Sequence, residues 1–123
     1  MRKITKIDII TRPGKLEELK QALAEIGVAG MTVSQVFGCG LQKGHTEVYR
    51  GKEYTINLLA GIKIEIVVCE VPVATVIETV KKICHTGKIG DGKIFIHPIE
   101  NAVRIRTGEE GDIAIIDPQD IKS

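Results

Sequence analysis

Residues 61–83 read GIKIEIVVCEVPVATVIETVKKI, and the change of period inside this stretch decides the fold. Ile62, Ile64, Ile66 and Val68 recur at every second position, with Lys63 and Glu65 pointing the other way, which is the pattern of a half-buried strand. Past Pro72 the spacing changes. Val73, Val76, Ile77, Val80 and Ile83 fall on one face of a helix. Pro72 suits its first position, Lys81, Lys82 and His85 complement the negative end of its dipole, and Gly87 is expected to end it.

Six of these positions have earlier counterparts. Ile7, Ile9, Leu16, Leu19, Leu23 and Ile26 are matched 57 residues later by Ile64, Ile66, Val73, Val76, Val80 and Ile83 (7 to 64, and so on). The same strand-then-helix unit is therefore expected twice. Its first copy has a strand over Ile4 to Thr11, a break at Pro13-Gly14, acidic residues Glu17 and Glu18 in the first helical turn and Gly27 at the C-terminus. Met31 to Gly38, rich in Val, Thr and Phe, reads as a second strand. Ile94-Phe95-Ile96 reads as a fourth, stopped by Pro98. The order β-α-β-β-α-β predicts an α+β, ferredoxin-like sandwich, two helices on one face of a four-stranded antiparallel sheet. Ile and Val on both sides of the strands predict that copies of the chain bury the other face, so a homo-oligomer is expected.

Composition fits one domain over 1–123 and narrows its partners. With 123 residues, 43% hydrophobic and 27% charged, such a chain buries roughly two-thirds of its unfolded surface. The net charge of +1, from 17 basic and 16 acidic residues, sets up no field toward nucleic acid or an anionic membrane. Cys39, Cys69 and Cys84 lack the spacing of a disulfide framework or a zinc site, which suits a reducing cytosol. MRKITKIDII lacks the apolar run of a secretory signal, and no stretch has the roughly 20 apolar residues of a membrane span.

Gly87-Lys88-Ile89-Gly90-Asp91-Gly92-Lys93 has the G-x-x-x-x-G-K spacing of a phosphate loop. Ile94, however, stands where Ser or Thr would hold magnesium, and the loop follows a helix and opens a strand, the reverse of an NTPase. Three glycines flanked by Lys88 and Lys93 read equally as an anion-binding nest of backbone N–H groups or as a surface turn. Arg104 and Arg106, read as alternating on a strand, share a face where two guanidinium groups grip a polyphosphate or line a solvated edge. The stretch of about 40–61, without helical period, is expected to be a long loop carrying Arg50 and an exposed Tyr54. His45, His85 and His97 have no second ligand at metal spacing.

These residues carry a family resemblance. Thr86-Gly87-Lys88-Ile89-Gly90-Asp91-Gly92-Lys93-Ile94-Phe95-Ile96 resembles the PII C-terminal signature in full, Gln42 to Gly51 its QKGHTE-x-YRG segment, and Arg104 to Glu109 its RIRTGE segment. The resemblance runs from about Ile4 to Ile115. It implies a cytoplasmic homotrimer of nitrogen- and energy-status sensors with ATP or ADP in each cleft between neighbours, not an enzyme. It implies Gly40, Leu41, Gln42, Gly90, Asp91, Gly92 and Lys93 around the nucleotide, Arg104 and Arg106 on its phosphates, and Thr32, Glu65 and Val67 near the adenine. Further ligands implied are Mg, through Gln42, and 2-oxoglutarate. The partners would be an ammonium channel, which recruits the protein to the membrane, or a nitrogen-metabolism enzyme. Arg50 matches a channel-inserting arginine and Tyr54 a uridylylated tyrosine. Gly61 stands where many members carry a lysine for 2-oxoglutarate, Lys52 replaces a small residue, and Leu41 replaces a frequent arginine. An atypical ATP/ADP sensor indifferent to 2-oxoglutarate is therefore the alternative. Of other classes, a small phosphate-transferring enzyme lacks a nucleophile paired with a base. An RNA-binding module lacks stacking aromatics, since Phe37 and Phe95 are the only phenylalanines.

Overall fold

A computed structural model describes residues 2–49 and 52–116, with side chains described except at residues 40–57. The elements are β1 (Ile4–Thr11), α1 (Leu16–Glu25), β2 (Thr32–Tyr49), β3 (Lys52–Val68), α2 (Val73–Cys84) and β4 (Gly92–Ile99), with short 3-10 turns at Pro13–Lys15 and Gly111–Ala114. The strands form one sheet in the order β2-β3-β1-β4, every neighbour antiparallel. That is the ferredoxin-like arrangement the doubled unit predicts.

The internal repeat appears as shared burial. Ile7 and Ile64 are both fully buried, as are Leu19, Val76 and Leu23, and Ile9, Ile66 and Val80 are nearly so. They form one core with Val28, Ile62, Val68 and Cys84, where side chains from β1, β3, α1 and α2 meet on one face of the sheet. Helix α1 ends as the glycine predicts. Gly27 takes φ 101° while its N–H donates to the Ala24 carbonyl and that of Val28 to Leu23, both at 3.0 Å, the paired bonds of a Schellman cap.

Four local expectations are corrected. The stretch of about 40–61 is not a loop but the continuation of β2 and β3 into one long hairpin. Gly40 pairs with Asn57, Leu41 with Ile56, Gln42 with Thr55 and Lys43 with Tyr54, and after an irregularity Val48 pairs with Glu53. Thr, Val, Tyr and Ile recur through this stretch and favour extended backbone, and directly joined antiparallel strands prolong their ladder readily. Pro72 is the N-cap, not the first helical residue. Pro98 does not stop β4, which runs to Ile99 with Pro98 opposite Thr5; an edge strand tolerates the missing N–H. Val103 to Thr107 is not a strand, because only Val103 bridges, to Glu110, and the chain turns at once.

Candidate functional site

Helix α2 ends with the His85 N–H on the Lys81 carbonyl at 3.1 Å, and the chain then crosses from the helix layer to the sheet in seven residues, 85–91. Gly87, Gly90 and Gly92 adopt φ 87°, 102° and 118°, conformations that other residues enter only with strain. A side chain at Gly92 would also place its Cβ 1.8 Å from the Ile10 carbonyl oxygen. The start of β4 therefore lies against β1 at a distance that only glycine permits.

The loop is held by its own carboxylate. Asp91 accepts the Thr86 N–H at 2.8 Å, the Gly87 N–H at 2.9 Å and the Thr86 hydroxyl. The Thr86 hydroxyl in turn accepts the Lys88 N–H at 3.2 Å. The Thr86 hydroxyl above all, then its amide, the Gly87 amide and the nearby Arg12 guanidinium, hold the Asp91 carboxyl well below the usual carboxylate range. From the end of β1, Thr11 Oγ1 donates to the Asp91 carbonyl at 2.8 Å, Arg12 Nη2 donates to the Ile89 carbonyl at 2.9 Å, and Arg12 Nε stands 3.5 Å from the Asp91 carboxylate. The nest read from the glycines thus already contains an anion at residues 86–87. Asp91 is turned into the loop, which leaves Ile89 and the flanking Lys88 and Lys93 exposed. Sequence reasoning missed Thr11, Arg12 and Thr86. Arg12 had one legible trace, a cation just before the Pro-Gly break.

On the sheet face away from the helices, Thr32 pairs with Glu65 and Glu65 with Asp8, and Val67 lies two residues along β3, 38% exposed. Thr32, Glu65 and Val67 are therefore brought together on this face. Lys93 occupies the same face opposite Ile10, but on β4, the sheet edge opposite β2. With neighbouring strands roughly 4.8 Å apart, the Thr32 edge and the Lys93 edge of one chain stand about 14 Å apart. Gly40, Leu41 and Gln42 lie on the prolonged β2; the side chains of Leu41, Gln42 and Tyr54, and all of Arg50, lie outside the described residues.

This open face carries more charge than its Ile and Val suggested. Lys6 Nζ is 2.8 Å from Glu65 and 3.5 Å from Asp8, Lys63 is 3.9 Å from Glu65, and His97 Nε2 is 3.0 Å from Asp8. The hydrogen bond that Lys6 donates to Glu65 is the main cause that raises its ammonium above its ordinary value. Ile10, Val67 and Phe95 lie among these charges and Val36 and Ile99 beyond them at the two ends, so the face is mixed, not apolar.

The two arginines are separated by their turn. The Arg104 N–H donates to the Glu109 carbonyl at 2.8 Å, the Gly108 N–H to the Arg104 carbonyl at 2.7 Å, and Gly108 takes φ 76°. Arg106 is exposed at the tip. Arg104 folds back instead, with Nη2 within hydrogen-bond distance of the Ile113, Ala114 and Ile116 carbonyls at 3.2, 3.2 and 2.9 Å. The expected two-fork grip is therefore not formed within one chain. Among the described residues, no group of three or more His, Cys, Asp or Glu side chains could hold a metal ion, and no helix is long and apolar enough to cross a membrane.

Comparison with known proteins converges on one family. The model for the family described as "Nitrogen regulatory protein P-II" matches residues 4–109. The chain is 54% identical over 110 residues to the nitrogen regulatory protein P-II of Klebsiella oxytoca, covering 89% of this chain and 98% of that one. It is equally identical to the nitrogen regulatory PII-like protein of Bacillus subtilis, covering 89% and 95%. Among solved structures, B. subtilis GlnK superposes with a TM-score of 0.81 at 54% identity, covering 91% of this chain and 98% of that one. A B. subtilis GlnK-ATP complex does so with a TM-score of 0.82 at the same identity, covering 91% and 97%.

Proposed function

The chain belongs to the nitrogen regulatory protein P-II family, and from that premise we propose that it reports cellular nitrogen and energy status by binding ATP or ADP in clefts shared between copies. Its relatives are named as regulatory proteins, and it acts by engaging partners, not by catalysis. The observation that carries the nucleotide reading is the pinned 86–93 loop. Its left-handed glycines and internal Asp91 clamp fix the backbone before any ligand arrives, and Lys88 and Lys93 flank it with positive charge. A preformed cradle loses little entropy on binding. The similarity to a GlnK-ATP complex supports adenine nucleotide as the ligand.

Lys93, Gly90 and Gly92 would meet the polyphosphate with Arg104 and Arg106, while Thr32, Glu65 and Val67 would line the base. The strand order supports a shared site, because it sets Thr32 on the β2 edge, with Glu65 and Val67 on β3 beside it, and Lys93 on the far β4 edge of one chain. A magnesium ion would enter with the nucleotide, with Gln42 as its protein ligand. The partner, an ammonium channel or a nitrogen-metabolism enzyme, would be met by the β2–β3 hairpin, with Arg50 at its contact and Tyr54 as a modification site.

Calorimetric titration tests the reading. Lys93→Ala should lose most ATP and ADP affinity, a charge-assisted contact being worth about tenfold or more, with the oligomer intact. Unchanged affinity overturns the site. For 2-oxoglutarate we expect weak or absent binding even with Mg-ATP, since Gly61 offers no ammonium. Its Cβ would stand 3.2 Å from the Thr11 carbonyl oxygen and 3.5 Å from Val36, so a longer side chain there must displace its neighbours slightly. Micromolar binding of 2-oxoglutarate would contradict the expectation.

A further inference from the structure

Arg104 belongs to the proposed phosphate site, yet its Nη2 amino group is directed at the carbonyls of Ile113, Ala114 and Ile116. Nε stands 3.6 Å from Glu109, is buried and makes no hydrogen bond. Nη1 has no hydrogen-bond partner among the described residues. The side chain is 22% exposed, so the guanidinium is held along one edge and free along the other. The carbonyls it meets are presented by a turn with its own supports. The Gly111 N–H donates to the Ala102 carbonyl at 2.9 Å and to Asn101 Oδ1 at 3.1 Å, and the Ile115 and Ile116 N–H groups close on the Asp112 carbonyl at 3.0 and 3.1 Å.

We propose that the 111–116 turn is a positioning element of the nucleotide site: its carbonyls clamp one edge of Arg104 so that the other is presented, preoriented, to the phosphates beside Arg106. The inference rests on the nucleotide reading above and adds to it a specific dependence. A long, rotamer-rich side chain loses less freedom on binding an anion when it is already fixed. Linkage then works in both directions. If the clamp favours phosphate at Arg104, phosphate at Arg104 must steady the clamp by the same factor.

Hydrogen exchange and a double-mutant cycle test it on the full chain. In the wild-type protein, Mg-ATP should slow exchange at the Ile115 and Ile116 amides. Ile115→Pro removes one turn hydrogen bond and disfavours the backbone of Ala114. It and Arg104→Ala should each weaken ATP binding by about tenfold, and the double variant should bind no more weakly than either, because both remove one unit. Additive losses, or exchange at 115–116 that ignores bound Mg-ATP, would overturn the proposal. Without ligand, Arg104→Ala should speed exchange at these amides, and unchanged exchange also overturns it. Failure of the wild-type protein to bind any adenine nucleotide would instead defeat the function proposed above, while the ligand-free exchange still reads the clamp.

Discussion

At the scale of single residues, Asp91 and Gly92 show how a loop becomes a fixed surface. A carboxyl whose folded-state pKa is depressed adds stability that is fully present above its unfolded value, about 3.9, and is lost as the pH falls through the folded value. The Asp91 clamp should therefore be indifferent to pH from about 5 to 8 and loosen only in acid below about 4. Chemical shifts of the Thr86 and Gly87 amides should stay flat across the neutral range and move only in strong acid; a neutral-range transition would remove Asp91 from its assigned place. Gly92→Ala should be the costlier change. It combines a left-handed φ with a methyl driven into the Ile10 carbonyl, so a loss of about 2–4 kcal/mol is expected, read as a fall in Tm of about 10 °C. The glycines of this loop were legible as places of unusual backbone, because no other residue explains three of them in six positions. That Asp91 faces inward was not legible. A carboxylate beside glycines reads identically whether it meets a ligand or its own chain, and only the return of Thr86 and Arg12 from elsewhere in space decides.

At the scale of elements, periodicity told the truth where one face of an element is buried and misled where neither is. Leu19, Leu23, Val76 and Val80 repeat at helical spacing because the sheet lies under them. Leu23→Ala should accordingly cost about 2–5 kcal/mol by leaving a cavity, while Glu18→Ala on the exposed side of α1 should change stability by less than about 0.5 kcal/mol. Equal losses by denaturant titration would mean that the helix does not pack as described. The prolonged hairpin had no such signal. Its residues alternate imperfectly and include Gly38, Gly40 and Gly44, so the lack of period reads as a loop, although ladder pairing with a direct neighbour needs no buried face. The segment after β4 misled in the opposite way. Val103-Arg104-Ile105-Arg106 alternates like a strand, yet Ile105 is wholly exposed because Gly108 turns the chain back within five residues of Val103.

At the scale of the whole molecule, the sheet has one face covered by its own helices and one that offers Val67 and Phe95, 38% and 44% exposed, among the Lys6, Asp8, Lys63, Glu65 and His97 charges. Opposite signs already neutralised within one chain can be covered by another copy without stranding a bare charge, provided their hydrogen bonds survive. The apolar residues between them supply the driving force. We therefore expect copies of the chain to join through this face, as the homotrimer implied by the family resemblance would, and a nucleotide site completed only on assembly. Val67→Glu with Phe95→Glu adds two negative charges beside Asp8 and Glu65 while leaving the helix-side core untouched. By light scattering the variant should be a folded monomer, and by calorimetry it should lose ATP binding at the same time, because Thr32, assigned to the base, and Lys93, assigned to the phosphates, stand at opposite edges of one sheet. A folded monomer that binds ATP as tightly as the wild-type protein would place every contact within one chain and remove the need for a shared cleft. An unaltered trimer would move the interface to another surface.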